Sequence, residues 1–375
     1  MKRCIVINRI PLGTEGQLRR KHMEQVEAFS NMGFDTYYIG YDEGRVYLIH
    51  NDERIYVCES NIHGYGSYVS LFKAVNTAIS NYGQFDLAYM RMIPATPALI
   101  KFLSEIRPSC KKIVYEFPTY PYDMEESKKG INLTHRVANM CDRVCRGQLK
   151  KYIDLAIVLT SNVDNVFGIP AVFLRNGINV NSYKKREALP TKKTEILCMG
   201  KLQKWHGYDR IISGAIDYVK QYKQVPFIIY ILGDGDARSE LIEQANAGGL
   251  DESIIQFPGI VVGNKLDEYF DRCSFAVESL GLHRLNLEYS STLKSREYLA
   301  RGIPFVYSLP IPGITKDLDY CHQVSADESP INIDELLNWA GDLKQDYSEA
   351  MRQYAFDHYS WESQFSIVCE RLHID

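Results

Sequence analysis

EILCMGKLQKWHGYDRIISGA, residues 195–215, is the stretch whose reading decides the fold. EILCMG (195–200) is a short apolar run stopped by glycine and reads as a buried strand; a helix follows over 207–222. The alternation continues downstream. PFIIYILG (226–233) is a strand and 236–247 a helix; IIQFPG (254–259) is a strand and 264–272 a helix. SFAVESL (274–280), a helix from about Thr292 and the strand IPFVYS (303–308) follow, with a last helical stretch over 344–372. The upstream half has the same rhythm. CIVIN (4–8) leads through a polar loop, Arg9 to Gly16, to a helix with Met23, Val26, Phe29 and Met32 on one face, ended at Gly33. DTYYIG (35–40) is a strand, and VYLIH (46–50) with RIYVCE (54–59) a hairpin or strand pair across Asn51-Asp52. A helix over 67–82, the strand DLAYMR (86–91), a helix from Pro94 to about Ile106, and the strands KKIVYEF (111–117), DLAIVLT (154–160) and VFLRNGI (172–178) complete this half. Strands joined by crossover-length helices build parallel sheets. The chain therefore reads as α/β, two doubly wound halves, with the crevice at the C-terminal strand ends as the default ligand site.

The composition bounds the function. Of 375 residues, 45% are hydrophobic and 24% charged, which excludes a long disordered chain and permits a sizeable core. A net charge of −4 argues against nucleic acid as a partner. The charge is uneven: residues 1–180 hold 22 Lys+Arg against 18 Asp+Glu, and the remainder 21 against 29. No apolar run approaches the ~20 residues of a membrane span. MKRCIVINRIPLG has too short an apolar stretch for a signal peptide and reads as the first strand. Nine scattered cysteines suit a reducing, cytoplasmic location, and Cys141 with Cys145 lacks the second ligand pair a zinc site needs. The expected organisation is a domain over 1–182, a polar linker over 183–194, a second domain over 195–355, and a C-terminal helix, 356–375, packing back on the first domain. Residues 136–151 carry five basic and one acidic residue, with Val137, Cys141 and Val144 on one helical face. Such a helix can rest peripherally on an anionic membrane.

A family resemblance runs through the second half. ILCMGKLQKWHGYDRIISGA (196–215) resembles the strand–glycine–basic–helix signature of retaining glycosyltransferases of family 4 (glycosyl transferases group 1), which have the GT-B fold. IIYILGDGDARSELIEQANAGGLDESIIQFPGIV (228–261), TLKSREYLARGIPFV (292–306), FLRNGINVNSY (173–183) and SWESQF (360–365) resemble the family's other blocks, in order and at similar spacings. TYPY and WHGYDR are similar to a subgroup acting in surface-polysaccharide assembly, of capsule or exopolysaccharide type. The resemblance implies two Rossmann-like domains facing a central crevice, with the nucleotide-sugar donor on the second and the acceptor on the first.

It also implies roles. Lys201 stands where the family carries a cation for the donor phosphates; His206 replaces the lysine usual five residues on, with Lys204 a near substitute. A diphosphate calls for such cations and for helix N-termini. Thr292, Leu293 and Lys294 begin the helix whose amides meet the distal phosphate in the family. Lys294 and Arg296 oppose the dipole of that helix, which anion binding explains. Glu297 matches the second glutamate of an E-x(7)-E motif that holds the ribose hydroxyls, and a carboxylate can accept two hydroxyl bonds. The first glutamate falls on Tyr289; Glu288, one place off, or Glu278 in ESLGL (278–282) is left to replace it. His283 and Arg284 are then phosphate or hexose contacts. Phe257 and Gly259 lie where the family cups the base, after the turn of Gly233 and Gly235. On the acceptor domain, Gly13 to Gly16 resembles the loop facing the phosphates and acceptor. Glu116 stands where many relatives place a histidine near the transferred sugar, with Thr119 and Tyr120 on the acceptor side. No D-x-D metal site is present in DGD (234–236) or DLD (317–319), and the family generally needs no metal or other cofactor.

The expected activity is transfer of a hexosyl unit to a growing polysaccharide or lipid-linked oligosaccharide. A non-catalytic subunit supporting a partner transferase, motivated by Tyr289, and a sugar-nucleotide epimerase on the same fold are the alternatives. A dinucleotide dehydrogenase is disfavoured, because the first strand lacks G-x-G-x-x-G.

Overall fold

The computed structural model describes residues 1–13, 17–60, 66–122, 133–159, 162–187, 193–290, 292–343 and 346–374. The chain divides into two compact units, Met1–Asn176 with Trp361–Asp375, and Gly177–Ser360.

Among the described residues the first unit is built on nine strands: β1 (Lys2–Pro11), β2 (Phe34–Asp42), β3 (Arg45–His50), β4 (Glu53–Glu59), β5 (Phe85–Arg91), β6 (Cys110–Phe117), β7 (Leu155–Val158), β8 (Asn165–Val166) and β9 (Ile169–Phe173). Their order is β4-β3-β2-β1-β5-β6-β7-β9-β8. The middle of the sheet is parallel; β3 and β4 form an antiparallel edge, turned at Asn51 and Asp52, both with positive φ. That pair of left-handed residues suits the right-handed twist of a hairpin. Alternate residues of β1 feed opposite cores. Ile5 and Ile7 pack with Leu71, Val75, Leu99 and Leu103 on one face; Cys4 and Val6 pack with Val26, Phe29 and Phe365 on the other. The helix Trp361–Leu372 closes that second face, Phe365 stacking on Phe29 of the helix Gln17–Asn31 at 4.2 Å.

The second unit holds β10 (Thr194–Met199), β11 (Phe227–Leu232), β12 (Ile255–Gly259), β13 (Phe275–Val277), β14 (Phe305–Tyr307) and β15 (Cys321–Gln323). All pairings are parallel and the order is β12-β11-β10-β13-β14-β15. This is the strand order of a doubly wound dinucleotide-binding sheet, with its switch point between β10 and β13. Every residue of β11 is buried, as a strand covered by helices on both faces requires. The helices expected over 207–222 and 264–272 are Tyr208–Gln221 and Asn264–Arg272.

Several local expectations differ. The final helical stretch is two helices, Ser348–Tyr359 and Trp361–Leu372, because Ser360 is extended and bridges Ile178 in parallel. A helix over Ile333–Asp342, capped by the Asn332 side chain on the Glu335 amide, and the edge strand β15 add to the second unit. The strand expected over 172–178 ends at Phe173. Residues 183–187 are fastened to the second unit: Arg186 N–H donates to the Arg301 carbonyl at 2.8 Å and Glu187 N–H to Asp271 at 2.7 Å. Residues 188–192 lie outside the described residues.

Candidate functional site

The loops leaving the strands of the second sheet are locked backbone to backbone. Leu280 N–H donates to the His206 carbonyl at 2.8 Å, Leu202 N–H to Asp234 at 2.9 Å, and Gly233 N–H to Gly259 at 2.7 Å. Two glycines make this possible. A Cβ on Gly233 (φ +122°) would stand 1.9 Å from the Gly200 oxygen, and one on Gly235 (φ +153°) 2.3 Å from the Leu202 oxygen. Gly259 also has positive φ, beside open space. Half-buried Phe257 packs on the adjoining core.

His206 and Lys294 meet over this platform. A Cβ on Gly200 would lie 3.5 Å from His206 Nε2 and 3.9 Å from Lys294 Cδ, so the absent side chain leaves both groups beside the end of β10. Lys294 Nζ donates to the Tyr208 hydroxyl at 3.1 Å, and that hydroxyl donates to the Met199 carbonyl at 2.7 Å. Burial pushes the Lys294 pKa down, while the Glu278 carboxylate opposes the shift. His206 is a neutral donor. Burial, then the Lys294 charge, lowers its pKa to about 3, and Nδ1 accepts the Gln203 N–H at 3.2 Å, which leaves the proton on Nε2. Lys201 is exposed and makes no ion pair among the described residues. Lys204 points away to Glu240, at 3.0 Å.

The helix Leu293–Arg301 starts at Thr292, whose side chain makes no capping bond. Its hydroxyl donates to Glu278 Oε1 instead, and the Ser279 N–H donates to Oε2. The sequence rules expect a capping threonine here; the buried carboxylate of Glu278 takes the hydroxyl. Of the two replacement glutamates, Glu278 is thus brought to the helix start, while Glu288 is exposed. Leu293 is exposed as well. Glu297 accepts from Arg301 Nε at 2.8 Å, and Arg301 also holds Asp267 at 2.6 Å.

His283 and Arg284, expected as phosphate or hexose contacts, and Arg296, expected near an anion, have protein partners. All five N–H groups of Arg284 are engaged, by Asp209 at 2.9 and 2.7 Å, by Glu328 and by the Lys204 carbonyl. His283 Nε2 lies 2.8 Å from Glu328. Arg296 is buried over the Tyr359 ring at 4.4 Å. These contacts brace the loops around the helix start.

In the first unit Glu116 sits at the end of β6, 1% exposed, inside a ring of donors. Oε1 accepts from Lys21 Nζ at 3.1 Å and Arg91 at 3.3 Å; Oε2 accepts from Gln25 at 2.9 Å and from the Tyr89 hydroxyl. Burial alone would raise its pKa, but the Lys21 and Arg91 cations and the two neutral donors bring it down to about 2. His22 lies 3.2 Å from Arg91; burial, then the Arg91 charge, lowers its pKa to about 4. Sequence reasoning named Glu116 and missed Lys21, His22, Gln25, Tyr89 and Arg91. For Lys21, His22 and Gln25 the signal was a cluster of polar residues on one side of the helix Gln17–Asn31; Tyr89 and Arg91 come from β5. Thr119 and Tyr120 are half-buried, the Tyr120 ring packing on Phe117 and Phe167. Gly13 is exposed; Gly16 lies outside the described residues.

The two neutral rings make an acid-stability prediction. Both folded pKa values lie below the ordinary 6.5, so the unfolded chain takes up protons first as pH falls. Stability should be full above pH 6.5 and fall through the window down to about 4 and 3, by roughly 2 kcal/mol per ring at pH 5. Urea unfolding at pH 7 and pH 5 checks this; equal midpoints would contradict it.

Among the described residues no three His, Cys, Asp or Glu side chains cluster to hold a metal ion, and no helix is long and apolar enough to cross a membrane. No protein-family model matches the chain, and no curated protein matches its sequence. Solved structures do. WaaG, a glycosyltransferase involved in lipopolysaccharide biosynthesis, is 14% identical over 99% of this chain and 100% of its own, with TM-score 0.55. The trehalose-6-phosphate synthase OtsA is 11% identical over 100% and 99%, with TM-score 0.60. HepE of Anabaena, solved with UDP and glucose, is 12% identical over 100% of both chains, with TM-score 0.55. These have the GT-B fold, and the two Rossmann-like sheets of this chain are of that class.

Proposed function

We propose that the chain is a retaining glycosyltransferase of family 4 type that moves a hexosyl unit from a nucleotide-diphosphate sugar to a polysaccharide or lipid-linked acceptor. The observation that supports it most is the meeting of His206, Lys294 and an uncapped helix start at the switch point of the second sheet. The donor diphosphate lies across these groups. As the glycosidic bond loosens, negative charge grows on the leaving phosphate, and Lys201, Lys294 and the first-turn amides oppose it without reorganising. His206 adds an Nε2–H bond and no charge. The sugar becomes oxocarbenium-like, as in other glycosyl transfers. Glu278, fixed by Thr292 and Ser279, positions the hexose, and Glu297 accepts the ribose hydroxyls. Glu116 has four donors on its two oxygens, so it is a positioning residue for Lys21 and Arg91. No resident metal is required by this reading.

Release of nucleoside diphosphate from a panel of nucleotide-sugars tests the proposal. Glu297→Gln should lower donor use by about 10-fold, the difference between a charge-assisted and a neutral bond of ~1.5–3 against ~0.5–1.5 kcal/mol. Equal use by wild type and Glu297→Gln would remove Glu297 from the site.

The helix Leu133–Cys145 supports a membrane-bound acceptor. Asp142 anchors it through the Ala95 N–H at 2.6 Å and the Tyr122 hydroxyl at 2.8 Å. Met140 and Val144 stay 65% and 73% exposed, beside exposed Arg143, Lys150 and Lys151. Each basic residue near anionic lipid contributes about 1 kcal/mol. Arg143→Glu with Lys150→Glu should weaken binding to phosphatidylserine vesicles roughly 10-fold or more while transfer to a soluble acceptor persists; unchanged sedimentation with vesicles at low salt would refute the contact.

A further inference from the structure

The first sheet has a switch point of its own, between β1 and β5, and a cavity of about 100 Å³ opens there. It is lined by Asn8 and Arg9 from β1, His22, Tyr68, and Arg91 with Ile93 at the end of β5. A water needs only ~10–15 Å³ by the same measure, so a larger polar group fits. The register of β1 against β2 shifts between Val6 and Ile10, which places Asn8 and Arg9 in the irregular stretch.

Among the described residues, two buried donors in this wall lack acceptors. Asn8, 2% exposed, accepts the Arg91 N–H on Oδ1 at 3.1 Å, which fixes its amide and leaves Nδ2 without a partner. His22, 3% exposed, faces Arg91 NH1 through Nε2, so the neutral ring carries its proton on Nδ1, and that atom has no partner either. Leaving such buried donors unmatched is unfavourable, and a ligand that accepts from both removes the penalty. Basic side chains stand around the wall. Among the described residues Lys21 and Arg91 both pair with the Glu116 carboxylate, and the Arg9 guanidinium lies against the Ser67 hydroxyl at 2.9 Å and the Tyr68 ring at 4.5 Å. The wall thus offers N–H donors and cations, and a group with several acceptor oxygens and negative charge complements it.

We propose that this cavity is a binding subsite for an anionic group, a carboxylate or a phosphate carried by the acceptor, held by Asn8 Nδ2, His22 Nδ1 and the guanidinium groups of Arg9 and Arg91. The word acceptor rests on the transferase reading; the anion site itself does not. The test is titration of the full chain at constant ionic strength with inorganic phosphate, with glucuronate and with neutral glucose. Melting temperature and the NMR titration of His22 are the readouts. The expected result is saturable stabilisation by at least one anion, none by glucose, and a His22 titration moved upward when the anion binds. The tighter anion identifies the source, a phosphate-bearing or an acid-sugar acceptor. Asn8→Asp keeps the shape and the bond to Arg91 but places a carboxylate oxygen where Nδ2 stood; it should abolish the response. Arg9→Gln should weaken it at least 10-fold. Both variants should still respond to nucleoside diphosphates, so a failed anion site and a failed donor site give different patterns. No saturable response to either anion, an unmoved His22 resonance, or a response in both variants equal to that of the wild type would overturn the proposal. Should Asn8→Asp fail to fold, the His22 titration of the wild type decides.

Discussion

Glu116→Ala should cost the first unit about 3–5 kcal/mol of stability, the usual result of removing one partner from a buried ion pair. Two cations converge on this carboxylate, and the alanine leaves Lys21 and Arg91 facing each other with no counter-charge. Gln25 and the Tyr89 hydroxyl lose their acceptor in the same step. Pairing the change with Lys21→Met should recover part of the loss, because one of the stranded charges then disappears. The sign of the pH dependence follows from the depressed pKa. The contribution of Glu116 is complete above its ordinary value near 4.5 and is lost as pH falls towards about 2. Urea unfolding of the wild type and the two variants measures all of this. A Glu116→Ala protein as stable as wild type would show that the network is not formed.

Gly233→Ala should be nearly as severe, in the other unit. The new methyl would overlap the Gly200 carbonyl oxygen at 1.9 Å, at a φ of +122° that side-chain-bearing residues rarely adopt. Backbone strain of ~1–3 kcal/mol and overpacking of ~1–3 kcal/mol combine, and the neighbouring atom is main chain, which cannot swing aside. The bond from Gly233 N–H to the Gly259 carbonyl would be disturbed with it. The account therefore expects lower thermal stability together with weakened nucleotide binding, since the loop that carries His206 is tied to the same platform. Gly249→Ala is the control: its φ is also positive, but no atom lies within 4 Å of the added Cβ. Equal stability of the two variants would contradict the platform.

The fold was legible where local pattern and tertiary position agree. EILCMG and PFIIYILG are apolar, stopped by glycine, and became adjacent central strands. The break at Ser360 was hidden, because Tyr359, Trp361 and Phe365 are all buried and the apolar pattern runs across it; a bridge to Ile178, far away in sequence, imposes the break. The surroundings of the candidate site residues were less legible than the fold. Arg284 reads in sequence as a phosphate or hexose contact, and Asp209 and Glu328, which close on it, are 75 and 44 residues away. Arg296 sits in a polar run and yet is buried over an aromatic ring. Glu116 draws its partners from a helix 91 to 95 residues earlier. Pairings of this range leave no periodicity for a sequence to show.

The central claim is that the switch point of the second sheet binds the diphosphate of a nucleotide-sugar. A thermal-shift titration with nucleoside diphosphates, beside the matching nucleosides, tests it most directly. A ligand at 100 times its dissociation constant stabilises by about 2.7 kcal/mol. The account predicts a saturable rise in melting temperature with at least one nucleoside diphosphate, a smaller rise with its nucleoside, and loss of most of the difference in Lys294→Met. No shift with any nucleoside diphosphate, or a shift undiminished in Lys294→Met, would contradict it.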